Sequence, residues 1–291
     1  MNKIGTQLKF SWRLFVDRTV SVRMLTLLLL LGFVYHIFLS PLNSFLKSVQ
    51  HPICPCIFPF LLSDIYFLIL FMSAAVSYFS DALFMKSWTI YQVIRTGRVR
   101  WALGQIEAII LSSFAFVILA VSMTGIVFLP DITLSEGWGK ALYTLAMTGI
   151  SGEFDIPFSI SYEIISRYTV WEALGVTILI SGMVITFIGL LMFCVSLIGS
   201  RLWANMLAML FVVIPMVQLN LGRAAAGLAY ISPVSWMNLS QLDIRSTGIR
   251  GAGNTLSLGY CTAALGITCL LLSIVIIWKI RTADFQMVKE D

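Results

Sequence analysis

Six stretches of this chain, residues 22–40, 57–80, 106–129, 174–198, 202–219 and 258–280, are predominantly apolar and approach or exceed the roughly 20 residues that carry a helix across a bilayer. The first has Met24 to Leu39 as its core. A long segment precedes it and no small-x-small cleavage pattern follows, so it reads as a retained anchor, not a cleavable signal. Composition agrees. Hydrophobic residues make up 59% of the 291 and charged residues only 11%, against roughly 25% in an average soluble domain. So few charges cannot cover a water-exposed surface of this size. The expected fold is a single all-α integral membrane domain of six spans.

The cations orient it. With six spans, one face collects residues 1–21, 81–105, 199–201 and the tail from about 279, and with Arg23 holds 13 of the 19 Lys and Arg residues. The opposite face holds Lys47, Lys140, Arg167, Arg223, Arg245 and Arg250. Basic flanks are retained on the cytoplasmic side, so both termini are expected there. The net charge of +5 is then an orientation signal, and nucleic acid is not an expected partner.

Within the fourth span Gly175, Gly182, Gly189 and Ser196 recur every seven residues, a small-residue seam that lets another helix approach closely, in this chain or in a second copy. The outer segment 130–173 carries Asp131, Glu136, Glu153, Asp155, Glu163 and Glu172 against Lys140 and Arg167. Ser135 and Ser161 suggest the starts of two short helices within it. This acidic insertion reads either as a solvated lid or as a surface attracting cationic peptides or drugs. Residues 220–257 begin apolar but are broken by Pro233 and glycines, and so read as a re-entrant or interfacial segment. Trp236 and Tyr230 there suit the headgroup layer.

Most enzymatic chemistry is missing. The two histidines, His36 and His51, sit in no metal-ligand or protease pattern. Gly139-Lys140 lacks the glycine and hydroxyl of a phosphate loop, and Gly251–Gly253 lacks the third glycine of a dinucleotide fingerprint. Asn238-Leu239-Ser240 matches a glycosylation sequon by a short pattern with a high chance rate. Cys194, Cys261 and Cys269 lie in apolar runs as small hydrophobes, whereas Cys54 and Cys56 flank Pro55 too closely for a relaxed disulfide and read as a rigid loop end. No metal or cofactor is expected on this chain. Asp64 is the candidate intramembrane charge: within a span it would mark a substrate pathway, whereas at the start of a helix from Ile65 it would sit at the interface. Glu107 is expected in the first turn of the third span, pairing with Arg98 or Arg100.

Between the second and third spans, Leu83, Phe84, Trp88, Ile90, Tyr91 and Ile94 fall largely on one half of a helical wheel, with Lys86, Thr89 and Gln92 opposite. Thr96-Gly97 ends that helix, and Arg98-Val99-Arg100-Trp101 leads into the next span. An amphipathic helix on this face suits anionic lipid or a cytoplasmic partner equally.

The pattern of Tyr91, Ile94-Arg95-x-Gly97-Arg98, Arg100-Trp101 and Gln105 before a long apolar span resembles the loop between spans two and three of bacterial ABC-transporter permeases of the six-span exporter type. The N-terminal segment, with Leu8, Phe10, Trp12, Leu14 and Phe15 among Lys9, Arg13 and Arg18, resembles that family's interfacial helix. Ser232-Pro233-Val234-Ser235-Trp236 resembles its broken hairpin between the last two spans, and Gly199-Ser200-Arg201 occupies the place of its second cytoplasmic contact. Segment 130–173 departs from the family in being longer than its usual outer turn.

The resemblance implies a permease subunit in a bacterial inner membrane, paired with itself or a related permease and with two separate ATPase subunits that bind ATP and Mg. Phe84, Trp88 and Tyr91 would supply the apolar contact with the ATPase, and Arg95, Arg98 and Arg100 would anchor the coupling helix against headgroups or acidic partner residues. The cargo would be an amphipathic peptide, drug or lipid moved outward, which fits resistance to antimicrobial peptides. The rival reading is a non-transporting sensor, immunity or scaffold subunit that recruits a cytoplasmic factor through the same loop.

Overall fold

The computed structural model describes residues 3–49, 54, 56–80, 87–128, 137–148, 155–244 and 256–282. It is almost wholly helical: α1 (Lys3–Thr19), α2 (Val22–Val49), α3 (Phe58–Leu61), α4 (Ile65–Phe79), α5 (Ser87–Thr96), α6 (Arg98–Val127), α7 (Gly139–Thr148), α8 (Tyr162–Arg167), α9 (Val170–Ile198), α10 (Arg201–Leu221) and α11 (Leu258–Thr282). Short 3-10 turns occupy Gly222–Tyr230, Val234–Met237 and Leu239–Gln241. Two two-residue strands, β1 (Leu242–Asp243) and β2 (Leu256–Ser257), pair in parallel, a small departure from an all-α chain. Among the described residues five helices, α2, α6, α9, α10 and α11, are long and apolar enough to cross a membrane. The chain is thus a multi-pass, all-α membrane protein in its broad class.

α9 is the hub. It is apolar on every side, the signature of a helix surrounded by others, and 72% of its most apolar 18-residue window is buried against 17% for α11. α4, α6, α10 and α11 pack around it, and α2 lies against α4 and α6. Glycines set the closest approach. A Cβ at Gly182 would stand 2.5 Å from the Phe114 ring, and one at Gly189 would stand 2.8 Å from Ile109 Cγ2. Two of the four seam positions therefore face α6 of the same chain. Gly175 has open space around it, and Ser196 turns its hydroxyl onto the Phe193 carbonyl of its own helix. Seven residues fall short of two full helical turns by about 20° per repeat, so the row drifts off a straight partner.

The second apolar stretch is interrupted. Phe58–Leu61 forms one turn with Pro59 near its start, residues 62–64 bend, and α4 begins at Ile65 with the Asp64 carboxylate accepting from the Phe67 amide at 2.9 Å. Asp64 is an N-cap, the role its short acceptor side chain fills well. From this break toward the far end of α4 the rings of Tyr35, Phe67, Phe71, Phe116 and Tyr78 follow one another at centroid distances of 5.5 to 6.3 Å, filling the space between α2, α4 and α6.

α6 starts at Arg98, well before the apolar run of the third span, because Gly97 alone breaks the chain, with φ of +85° that favours glycine. Glu107 consequently lies about two and a half turns inside α6 and not in its first turn. Its carboxylate accepts from Ser11 of α1.

Candidate functional site

The helix ends sort the bundle into two poles. At one pole Gln7 of α1 donates to the Arg100 carbonyl at 3.1 Å, Arg23 donates to Ser80 Oγ at 3.0 Å, and Arg98 donates to the Arg281 carbonyl at 3.3 Å. This basic pole gathers α1, the start of α2, the end of α4, α5, the start of α6 and the end of α11.

α1 is fastened here. A Cβ at Gly104 would meet the Phe10 ring at 2.6 Å, so the glycine lets that ring lie on the α6 backbone. Ser11 bonds Glu107, and the buried Arg18 guanidinium bonds the Gln105 side chain. Burial pulls the Arg18 pKa down to about 10, with the nearby Tyr78 opposing the shift; the guanidinium still stays charged at neutral pH. The opposite face of α1 leaves Leu8 and Trp12 exposed beside Lys9 and Arg13. That face is amphipathic, as a helix lying in headgroups requires. Sequence reading caught this face but not the fastening, since Gln7, Ser11 and Arg18 look like ordinary polar positions until α6 stands beside them.

α5 is the other amphipathic element of this pole. Val93 turns inward, whereas Tyr91 and Ile94 are 77% and 76% exposed and Arg95 is exposed beside them. A tyrosine and an isoleucine exposed on one helix make an apolar face with a cationic edge. Phe84 and Lys86 lie outside the described residues, and Trp88 belongs to the first turn of α5. Arg98 and Arg100 are exposed in the first turn of α6, across Gly97 from this face. Trp101 leaves that surface: it is buried with its ring 5.9 Å from Phe193 of α9. The base of α6 is thus wedged against the hub immediately after the basic residues.

The other pole is tied shut by hydrogen bonds between distant segments. Trp138 donates its indole N–H to the Tyr168 carbonyl at 2.9 Å, Tyr168 donates its hydroxyl to the Leu242 carbonyl at 2.7 Å, and Arg167 donates to the Ser240 carbonyl at 3.4 Å. Burial, and secondarily the charge of Asp243, pushes the Tyr168 phenol up to about 12. Thr169 and Glu172 form a reciprocal capping box at the start of α9. Glu163 pairs with Arg167 at 3.9 Å, and Asp155 is exposed at a φ of +51°. Asp131, Ser135, Glu136 and Glu153 lie outside the described residues. Pro233 precedes the turn Val234–Met237, whose four residues are buried. Trp236 is only 5% exposed, donates to the Ala229 carbonyl at 2.7 Å and stands edge-on to Tyr260 at 5.9 Å. It faces the protein interior and not a headgroup layer, because its indole N–H finds a carbonyl within its own segment.

Among the described residues no group of three or more His, Cys, Asp or Glu side chains is placed to hold a metal ion. Cys54 and Cys56 are both buried and unbridged. No protein-family model matches the chain, and no match was found among curated proteins or solved structures.

Proposed function

We propose that this chain is the membrane subunit of an ATP-driven exporter of the ABC type, working with a second permease copy or a related permease and with two separate ATPase subunits. In this reading six segments cross the membrane, with both poles as the cation count orients them and the basic pole in the cytoplasm. The second crossing is made by α3 and α4 together, since the 15 residues of α4 rise only about 22 Å. Residues 222–241 form the re-entrant hairpin of the outer pole.

The observation that carries this reading is the outward face of α5. Tyr91 and Ile94 are left uncovered by a helix whose other side is packed inward through Val93. Exposed aromatic and aliphatic side chains with arginine at the edge are what a protein interface selects. α5 runs through Gly97 directly into α6, and α6 abuts α9 at Gly182 and Gly189. A push from an ATPase against α5 would therefore be borne by the hub helix and not lost in a loop. ATP and Mg belong to that partner, which supplies the chemistry. Among the described residues the fully buried polar groups deep in the spans are hydroxyls such as Ser112, Ser113, Thr177, Ser181 and Thr186, while Glu107 lies half-buried at the base of α6, engaged by Ser11. A bundle interior this poor in charge suits an amphipathic peptide, drug or lipid better than a hydrophilic ion.

The test is purification of the full chain in mild detergent from its native membrane. The expected outcome is co-purification of a subunit carrying a phosphate loop, lost in the Trp88→Ala/Tyr91→Ala double variant while the permease remains folded. A stable complex with an ATPase-free cytoplasmic protein would instead establish the recruiting-scaffold reading.

A further inference from the structure

At the basic pole the junction of α5 and α6 forms, with the end of α11, a shallow open groove of about 520 Å³ lined by Thr96, Gly97, Arg98, Val99, Arg100 and Arg281. Three of these six are arginines and none is acidic. They come from two helices far apart in sequence, so the cluster is a product of the fold. Arg98 is already engaged, donating to the Arg281 carbonyl and closing the C-terminal end of α11. That contact links the end of α11 to the start of α6 and covers a carbonyl that would otherwise repel an anion. Arg100 and Arg281 remain exposed on the rim.

The backbone adds to the same field. Gly97 offers no side-chain cap to α6, and among the described residues the first-turn amides of the lining residues Val99 and Arg100 have no acceptor. Guanidinium forks match the oxygens of a phosphate in pairs.

The surroundings distinguish a lipid phosphate from a dissolved one. Trp278 lies three residues before Arg281 on α11, on the same side of the helix, and is exposed. Apolar Ile274, one turn further along, is exposed as well. A tryptophan between an apolar helix face and a cationic rim marks the depth at which headgroups begin. We propose that this open groove seats the phosphate group of an anionic phospholipid, its acyl chains running down the α11 face past Trp278 and Ile274. The inference needs only that the basic pole meets a membrane surface, and it stands whether or not an ATPase docks on α5.

The experiment measures binding to the purified full chain by thermal stabilisation and by native mass spectrometry. The probes are dihexanoyl-phosphatidylglycerol, dihexanoyl-phosphatidylcholine and inorganic phosphate. Arg100→Gln and Arg281→Gln test the rim, while Arg13→Gln removes the same charge from an exposed site on α1. Arg98 is left intact because it bonds the Arg281 carbonyl. The expected result is binding of the phosphatidylglycerol in preference to both other probes, weakened roughly five-fold by each rim variant and less than two-fold by Arg13→Gln. Equal weakening by all three variants would overturn the proposal in favour of diffuse attraction to the basic pole. Full stabilisation by inorganic phosphate alone would overturn the lipid assignment, as would equal binding of the phosphatidylcholine.

Discussion

The ring of Phe10 lies directly over Gly104, so close that a Cβ on the glycine would stand 2.6 Å from two of its carbons. One contact thereby joins the N-terminal amphipathic helix to the base of α6, next to the groove and the exposed face of α5. Gly104→Val must push Phe10 off the helix. Overpacking of this kind costs about 1–3 kcal/mol. The variant is expected to melt at lower temperature and to expose α1 to protease. Gly104→Val/Phe10→Ala should recover part of the loss, because the colliding ring is gone.

Gly182 and Gly175 share a helix and a spacing but not a neighbour. Gly182→Ala places a methyl 2.5 Å from the Phe114 ring, whereas Gly175→Ala enters open space. The first is expected to destabilise by about 1–3 kcal/mol. The second should be neutral or stabilising by up to about 1 kcal/mol, from the lower helix cost of alanine. Denaturation of both variants in one detergent compares them directly.

Arg18 and Gln105 form a buried polar pair between α1 and α6. Gln105→Leu removes the acceptor and leaves the cation buried, an expected loss of about 1.5–3 kcal/mol for a hydrogen bond to a charged group. Replacing both residues with apolar ones, Arg18→Met/Gln105→Leu, should be closer to wild type than Gln105→Leu alone. Stability measured around this double-mutant cycle separates pair from packing.

Tyr168 ties the start of α9 to Leu242, and Tyr168→Phe removes that bond at an expected cost of about 1 kcal/mol. The pH dependence has a definite sign. The folded phenol is raised to about 12 from its ordinary 10, so its contribution is complete below pH 10. Above that, the unfolded chain ionises first, and the contribution is lost between about pH 10 and about 12. Thermal melts should show wild type losing its advantage over Tyr168→Phe across that window and not below it.

Much of this was legible in the chain. The apolar runs mark the long helices, because length and hydropathy are local properties, and the end of α5 at Gly97 followed from a residue that tolerates positive φ. The half-seam of Gly182 and Gly189 was readable from spacing, but which glycine meets a neighbour depends on where α6 crosses α9. The start of α6 was read late, since Arg98 and Arg100 look like loop until Gly97 is seen to be the sole break. The outer ties from Trp138 through Tyr168 to Leu242, and the meeting of Arg98 with Arg281, join positions 30 to 183 apart. No local pattern encodes such meetings. Trp236 was assigned to headgroups from residue type alone, and the burial of its ring, with its indole bonded to the Ala229 carbonyl, reverses that.

The central claim, that the outward face of α5 receives an ATPase, is tested most directly by a photo-crosslinking amino acid at Tyr91, with Ile267 on the exposed face of α11 as the control position. Irradiation in native membranes is expected to join position 91 to a subunit that binds ATP, and position 267 to lipid or to another membrane protein. Crosslinking of position 91 to lipid alone, in a chain that remains folded, would contradict the account.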